Sequence, residues 1–385
     1  MTAKFRGLTW DHPRGRVALE EHARTALDAD GSALIAWDVH PLEGFESTPI
    51  AELAERYDVI VLDHPHLGDA LAADAIRPLD EVFDPGFLGG IATACVGASY
   101  RSYVMDGRLW ALPLDAATQV AVCAPDSVFE DPETWSDVTE LAKDAPVALS
   151  LAGPHAFLTF ASVCAALGVD PATEPGDGFV PAAVGEEAID LLAQLGAKAP
   201  IGTESLNPVG LLERMRAVGD IAYIPLVYGY VNYAMGPGAL RFGAAPSFRV
   251  GRRGSTIGGT GIAITTRSQP DAALIAHLAG LLDPSIQAGF IPDHAGQPSL
   301  RSAWNDGRVN AAAGDFYRRT RSTIEDAWIR PRVPGFVPFQ SAASGMLREA
   351  ILNRADPAAT LRRLDALFDE LGAAPTRTHH ERIAR

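Results

Sequence analysis

Across the first hundred residues, short strand-like runs alternate with amphipathic helical patterns, and this alternation narrows the fold more than any other feature of the chain. "RGLTW" reads as a strand. Residues 16 to 28, "RVALEEHARTALD", bring Val17, Ala18, Ala23, Ala26 and Leu27 near one face of a helix. "ALIAWDV" is a second strand, "IAELAERY" a short helix and "DVIVLD" a third strand. The third run is apolar almost throughout, as expected of a strand covered on both faces. The pattern predicts an α/β layer architecture with parallel strands.

Further along, "RPLDEVF" precedes a helix expected over residues 86 to 100. In "DGRLWALPLDAATQVAVCAPDSVFEDPETWSDVTELAK", Asp106-Gly107 is a hairpin-turn signal and Pro113 interrupts an extended run. A chain crossing between two lobes would do so at such a point, and "DPETWSDVTELAK" then reads as a capped helix after a turn. "PVALSLAGPHAF" predicts a strand that ends at Gly153-Pro154 and opens the helix "FLTFASVCAALG"; "GEEAIDLLAQLGAK" is another helix. "GDIAYIPLVYGYVNYA" is an aromatic-rich strand and turn, and "GRRGSTIGGTGIAITT" a loop with a Gly-rich return strand. The C-terminal third reads as mostly helical, through "DAALIAHLAGLLD", "SIQAGFI", "FYRRTRSTIEDAW" and "ATLRRLDALFDELG", before a polar tail, "PTRTHHERIAR", expected to fray.

With 385 residues, 47% of them hydrophobic, the chain has enough apolar material for two domains or one bilobed unit. Its net charge of −16 argues against a general nucleic-acid binder or a protein of anionic membrane surfaces. No apolar run approaches the roughly twenty residues that cross a bilayer, so membrane insertion is not expected. Cys95, Cys123 and Cys164 stand apart without Cys-x-x-Cys spacing and read as buried thiols, not as a zinc or disulfide framework. "MTAKFRGLTW" passes from Met1 straight into a strand, without the features of a secretion signal. The expectation is a cytoplasmic protein as written, or a periplasmic or extracellular one if a leader was removed.

The segment "DGRLWALPLDAATQVAVCAPDSVFEDPETWSDVTELAK" resembles the middle signature of the family 1 extracellular solute-binding proteins: a Gly-containing turn, a Pro-bearing crossover and a Pro-x-Thr-Trp helix entry. "YDVIVLDHPHLGDALAADAIRPLDEVF" is similar to the family's third strand and its L-x-P-L-D segment. "STIGGTGIAITTRS", "PDAALIAHLAGLL" and "SIQAGFIPDHAGQPSLRSAW" resemble the later pieces, in the expected order and over most of the chain.

This resemblance implies a two-lobed, periplasmic-binding-protein-like Venus flytrap of type II, an α/β fold hinged on crossover strands. It implies lobe 1 from residues 1–113 plus about 261–310, and lobe 2 from 114–260 plus about 311–385. The crossings would fall near Leu114-Asp115 and Gly258–Thr260, with a third in the helical C-terminal part. Ligand would lie between the lobes, in keeping with the rule that open α/β sheets bind beyond the carboxyl ends of their strands. As a departure from the family, the chain as written lacks a leader, and so reads as a cytosolic relative.

Asp11-His12-Pro13 follows the first strand and Asp63-His64-Pro65, with His66 beyond, follows the third. Neighbouring strands lie about 4.8 Å apart, so both triplets can face one cleft. Asp, His and Pro are equally a way to start a helix, and Asp38-Val39-His40-Pro41 after the second strand has the same look. Histidines and carboxylates, Asp69 included, are metal-ligand types, but no helical His-x-x-x-His spacing is present, and neither metal nor cofactor is expected.

His155 opens a helix at a strand end, where amides favour an anion or hydroxyl. Among Tyr223, Tyr228, Tyr230, Asn232 and Tyr233, the expected contacts are Tyr228 and Asn232, beside the turn at Gly229. Trp10, Asp115, Thr260 and Arg330 complete the candidate ligand set, with Arg332 beside the last.

Two functions remain open. One is a receptor that closes on a small polar ligand, sugar-like or carboxylated, and passes it to an ABC permease. The other is a cytosolic lyase, hydratase or isomerase in which His12 or His64 moves a proton on a carboxylated or CoA-linked molecule held by Arg330 or Arg332.

Overall fold

The computed structural model describes residues 3–176, 178–248 and 252–373, and the polar C-terminal tail lies outside them. The strands of its two main sheets, in chain order, are β1 (Phe5–Trp10), β2 (Ile35–His40), β3 (Val59–Leu62), β4 (Leu112–Pro113), β5 (Ala117–Cys123), β6 (Tyr223–Tyr228), β7 (Arg241–Gly243), β8 (Ile257–Gly258) and β9 (Gly261–Ile264), and a separate two-stranded hairpin pairs Val104–Met105 with Arg108–Leu109. One sheet has the order β2-β1-β3-β9-β4; in the other β5 lies between β8 and β6 and also pairs with β7.

The parallel arrangement read from the alternating pattern holds for β2-β1-β3. Elsewhere the strands are antiparallel, because β4 and β9 belong to segments that leave for and return from the second sheet. All four residues of β3 are buried, as its unbroken apolar run requires.

The chain leaves the first sheet after Pro113 and enters the second at Ala117; it returns between Gly258 and Gly261. These two passages are bonded to each other. Leu114 N–H donates to Thr260 O at 2.9 Å, and Thr260 N–H donates to Asp115 Oδ1 at 2.6 Å. Gly259, at φ 94°, permits this closeness, since a Cβ there would stand 2.5 Å from Asp115 O. A third segment runs beside them, with Ile257 N–H on Trp328 O at 2.8 Å.

Helices relevant to the site and the core are α1 (Pro13–Ala23), α2 (Trp135–Leu141), α3 (His155–Ala166), α4 (Ala182–Gly196), α5 (Phe316–Glu325), α6 (Phe336–Asn353) and α7 (Pro357–Ala373). The first starts three residues earlier than periodicity predicts and stops short of Leu27. Pro13 takes its first position and the His12 side chain caps it. Beyond it, Asp28 Oδ1 accepts from the N–H groups of Asp30 and Ser32, which turns the chain toward β2.

The helix expected over 86 to 100 is Pro85–Ala94. The strand expected in "PVALSL" is reduced to a single bridge between Val147 and Tyr223. In the core of the second lobe, all twelve residues of α3 are buried, and Phe157, Phe179, Phe336, Phe339 and Phe368 mesh with ring centroids 5.1–6.2 Å apart.

The capped helix expected after the turn is α2. Thr134 Oγ1 accepts from Asp137 N–H at 3.2 Å, and Asp137 Oδ2 accepts from Thr134 N–H at 2.9 Å. Thr134→Ala is expected to lower stability by about 1 kcal/mol, read as a drop in the urea midpoint.

Candidate ligand-binding cleft

β1 and β3 deliver Trp10 and Asp63 to the carboxyl edge of the first sheet, and the first turn of α1 adds Arg14. Ala117, Tyr228, Tyr230 and the Gly258–Thr260 crossover face them from the other side, around a cavity of about 440 Å³ that Leu42 and Phe45 also line. An adjoining cavity of about 340 Å³ shares Asp63 and Tyr228 and continues past His66 and His155 to Arg330 and Gln340.

Two ion pairs, one buried and one half-buried, stitch this region together. Arg14 Nε donates to Asp115 Oδ2 at 2.8 Å, with the two side chains 4% and 5% exposed. Arg14 Nη1 also donates to Gly229 O at 3.2 Å, and the guanidinium lies 5.0 Å from the Tyr230 ring centre and 5.7 Å from that of Trp10. Burial works against this charge, but Asp115, with the phenol groups of Tyr230 and Tyr317, more than offsets it, and the Arg14 pKa rises. One side chain therefore touches the first lobe, the crossover and the second lobe.

The other pair joins Arg330 Nη2 to Asp63 Oδ2 at 2.5 Å. Arg330 Nη1 reaches Gln340 Oε1 at 3.3 Å, and its buried Nε has no hydrogen-bond partner among the described residues. Burial would raise the Asp63 pKa, yet the adjacent guanidinium holds it well below the usual carboxylate range.

Thr260 lines the larger cavity and gives both its N–H and its hydroxyl to Asp115 Oδ1. Asp115 itself sits behind the wall. Tyr228 lies between the two cavities, with its hydroxyl on Ile257 O at 3.4 Å, and His155 meets its ring edge-on at 5.9 Å. Burial, and secondarily Arg330, pushes the His155 pKa down to about 3.

His12 does not line either cavity. Its Nδ1 accepts from Arg14 N–H at 3.1 Å, and its ring stacks on Trp10 with centroids 5.2 Å apart. Burial and the Arg14 charge lower its pKa to about 4. His64 lies wholly inside, edge-on to Tyr103, with Nδ1 3.2 Å from Asp63 Oδ1, and burial followed by Arg330 lowers it to about 4 as well.

Asp11 points to solvent and pairs with Arg16 at 2.6 Å. Asn232 stands away from both cavities and donates to Ala295 O at 3.0 Å. Arg332 Nη1 binds the carbonyls of Arg101, Ser102 and Val104, which ties it to the scaffold. Among the described residues no group of three or more His, Cys, Asp or Glu can hold a metal ion. The cysteines are buried, and burial pushes the Cys95 and Cys123 thiols up to about 12.

Sequence reasoning missed Arg14, Phe45 and Gln340. A signal for Arg14 existed. A cation in the first turn of a helix opposes the helix dipole, so an arginine there needs a carboxylate from elsewhere. Phe45 and Gln340 carry no comparable signal.

No protein-family model and no curated protein matches this sequence. Solved structures do match it. The maltose-bound MalE3 of T. maritima aligns over 96% of this chain and 100% of its own at 16% identity, with a TM-score of 0.76. The ABC transporter solute-binding protein of Agrobacterium radiobacter K84, in complex with ribitol, aligns over 95% of this chain and 98% of its own at 19% identity, TM-score 0.77.

The chain has the fold of these solute-binding proteins. A third structure, the solute-binding protein of Agrobacterium vitis S4 with bound D-mannitol, aligns over 97% of this chain and 99% of its own at 17% identity, TM-score 0.74. The two-lobed, periplasmic-binding-protein-like architecture is thus shared along almost the whole length.

Proposed function

We propose that this chain is a solute-binding protein that holds a small polyhydroxylated molecule, a sugar ring or a linear polyol, between its lobes and hands it to an ABC permease. The observation that carries the reading is the interlobe cavity itself. Its wall alternates aromatic faces, from Trp10, Phe45, Tyr228 and Tyr230, with the fixed polar groups of Asp63, Arg14 and Thr260. Aromatic faces cover the apolar side of a sugar, while an ionised carboxylate accepts from its hydroxyls.

The cavity is small and closely walled by aromatic rings, which favours one ring or one short chain over an oligosaccharide. The ribitol and mannitol bound by two fold neighbours are ligands of that size. Among the described residues no helix is long and apolar enough to cross a membrane.

Proton transfer by His12 or His64 has less support, since both rings are held neutral down to about pH 4 and neither lines a cavity.

Titrating ribitol, mannitol, monosaccharides, maltose and maltotriose while following tryptophan fluorescence tests the reading. A polyol or monosaccharide is expected to saturate the signal, and Tyr228→Ala to weaken that binding about tenfold. Silence across the whole panel, or a preference for maltotriose, would overturn it.

A further inference from the structure

The second lobe contains a cavity of about 580 Å³ that the cleft does not use. Strand register explains why it exists. Ala121 pairs with Gly243, and Cys123 with both Tyr223 and Arg241, so these residues share one face of the sheet. Where that face presents only a methyl group and a hydrogen, it drops away. Six residue steps along β5 separate Cys123 from Ala117 in the cleft, about 20 Å at roughly 3.3 Å per step. The two sites therefore sit at opposite ends of one strand.

Charged groups rim the depression. Asp131 Oδ1 is already neutralised by Arg241, at 2.7 Å from Nη2 and 3.2 Å from Nε, and it accepts from the Cys123 thiol at 3.4 Å. Arg319 Nη1 stands 3.8 Å from Asp131 Oδ2, beyond hydrogen-bond reach. Arg253 Nη1 holds the carbonyls of Glu133 and Ala245 at 3.1 and 3.0 Å, which fixes the guanidinium, while its Nε and Nη2 make no hydrogen bond among the described residues. Tyr223, in the wall and 1% exposed, has a hydroxyl with no hydrogen-bond partner among the described residues.

The guanidiniums of Arg241, Arg253 and Arg319 thus meet the rim carboxylates of Asp131 and Glu133, while Asp326 Oδ2 accepts from the Arg253 backbone N–H at 3.2 Å behind the rim. Arg241 takes Asp131, which leaves the outer nitrogens of Arg253 and Arg319 open. Glu133 is exposed to solvent at the rim, where its repulsion is screened.

We propose that this pocket is a second ligand site, which binds the carboxylate or phosphate group of a small molecule between Arg253 and Arg319. The planar fork of Arg253, anchored at one nitrogen and open at the others, suits a bidentate oxyanion.

The test is calorimetric titration of the whole protein with inorganic phosphate and, separately, with malonate, at constant ionic strength. One of the two is expected to saturate a single site, and which one does distinguishes phosphate from carboxylate recognition. Arg319→Ala, an exposed change, is expected to weaken that binding about tenfold. Gly243→Leu is expected to abolish it, because a Cβ there meets nothing nearer than Asp131 Oδ2 at 3.9 Å and the longer side chain fills the depression. Neither change is expected to alter sugar or polyol affinity in the cleft. Absence of saturable heat from both anions overturns the proposal, as does saturable binding that survives Arg319→Ala unchanged.

Discussion

Arg14→Met is expected to lower stability by about 3–5 kcal/mol, the range for breaking a buried ion pair from one side. The size follows from what remains. Asp115 stays 5% exposed without its partner, and its other bonds come from Thr260 alone. A methionine of similar length covers Trp10 and Tyr230 but returns no charge.

An exposed pair such as Arg308 with Asp293, each 56% accessible, is expected to change stability by no more than about 1 kcal/mol when cut. The decisive comparison is the double variant Arg14→Met with Asp115→Asn. An amide keeps an oxygen for Thr260 and carries no charge to strand, so much of the loss should return. Urea midpoints of the wild type, both single variants and the double variant measure this. If Arg14→Met shifts the midpoint no more than the surface control, or if the double variant is no better than Arg14→Met, the pair does not hold the crossover in the way its geometry implies.

The same residues show how far the sequence could be read. Alternating runs foretold β1 to β3, and the Pro-x-Thr-Trp entry foretold α2, because each depends on neighbours within a few positions. The eighteen-residue helix α6 escaped notice. Its Pro338 lies in the first turn, where a missing N–H costs nothing, yet in sequence it looks like a breaker.

The repeated Asp-His-Pro is the sharper lesson. Both copies follow the last residue of a strand, but in the first His12 caps the helix and in the second Asp63 caps a tight turn. That one-residue difference sends Asp11 to Arg16 in solvent, and Asp63 to Arg330 at the cleft. The partner that separates the two fates is five residues away in one case and 267 in the other. Local spelling cannot encode the second.

Acid is expected to destabilise the protein in two separable stages, and His64 isolates the first. An unfolded imidazole titrates near 6.5, whereas burial, aided by Arg330, holds His64 in the folded protein at about 4. Between those values the unfolded chain binds a proton that the folded chain refuses, so each step down in pH favours unfolding. The loss from this one wholly buried ring amounts to about 3 kcal/mol once pH falls below its folded value.

His12, His155 and His277 are depressed as well and add to the same limb, so the wild-type slope alone does not identify His64. His64→Gln does, because it removes one proton from the difference and leaves the others. Asp63 acts in the second stage. Its folded pKa lies below the unfolded one, so its contribution is intact above about 4 and fades only below that value. Urea midpoints recorded from pH 7 to 3 should therefore fall less steeply between 6.5 and 4 in His64→Gln than in the wild type, and converge in slope below 4. Parallel curves through the upper window would mean that His64 binds its proton equally in the folded and the unfolded chain.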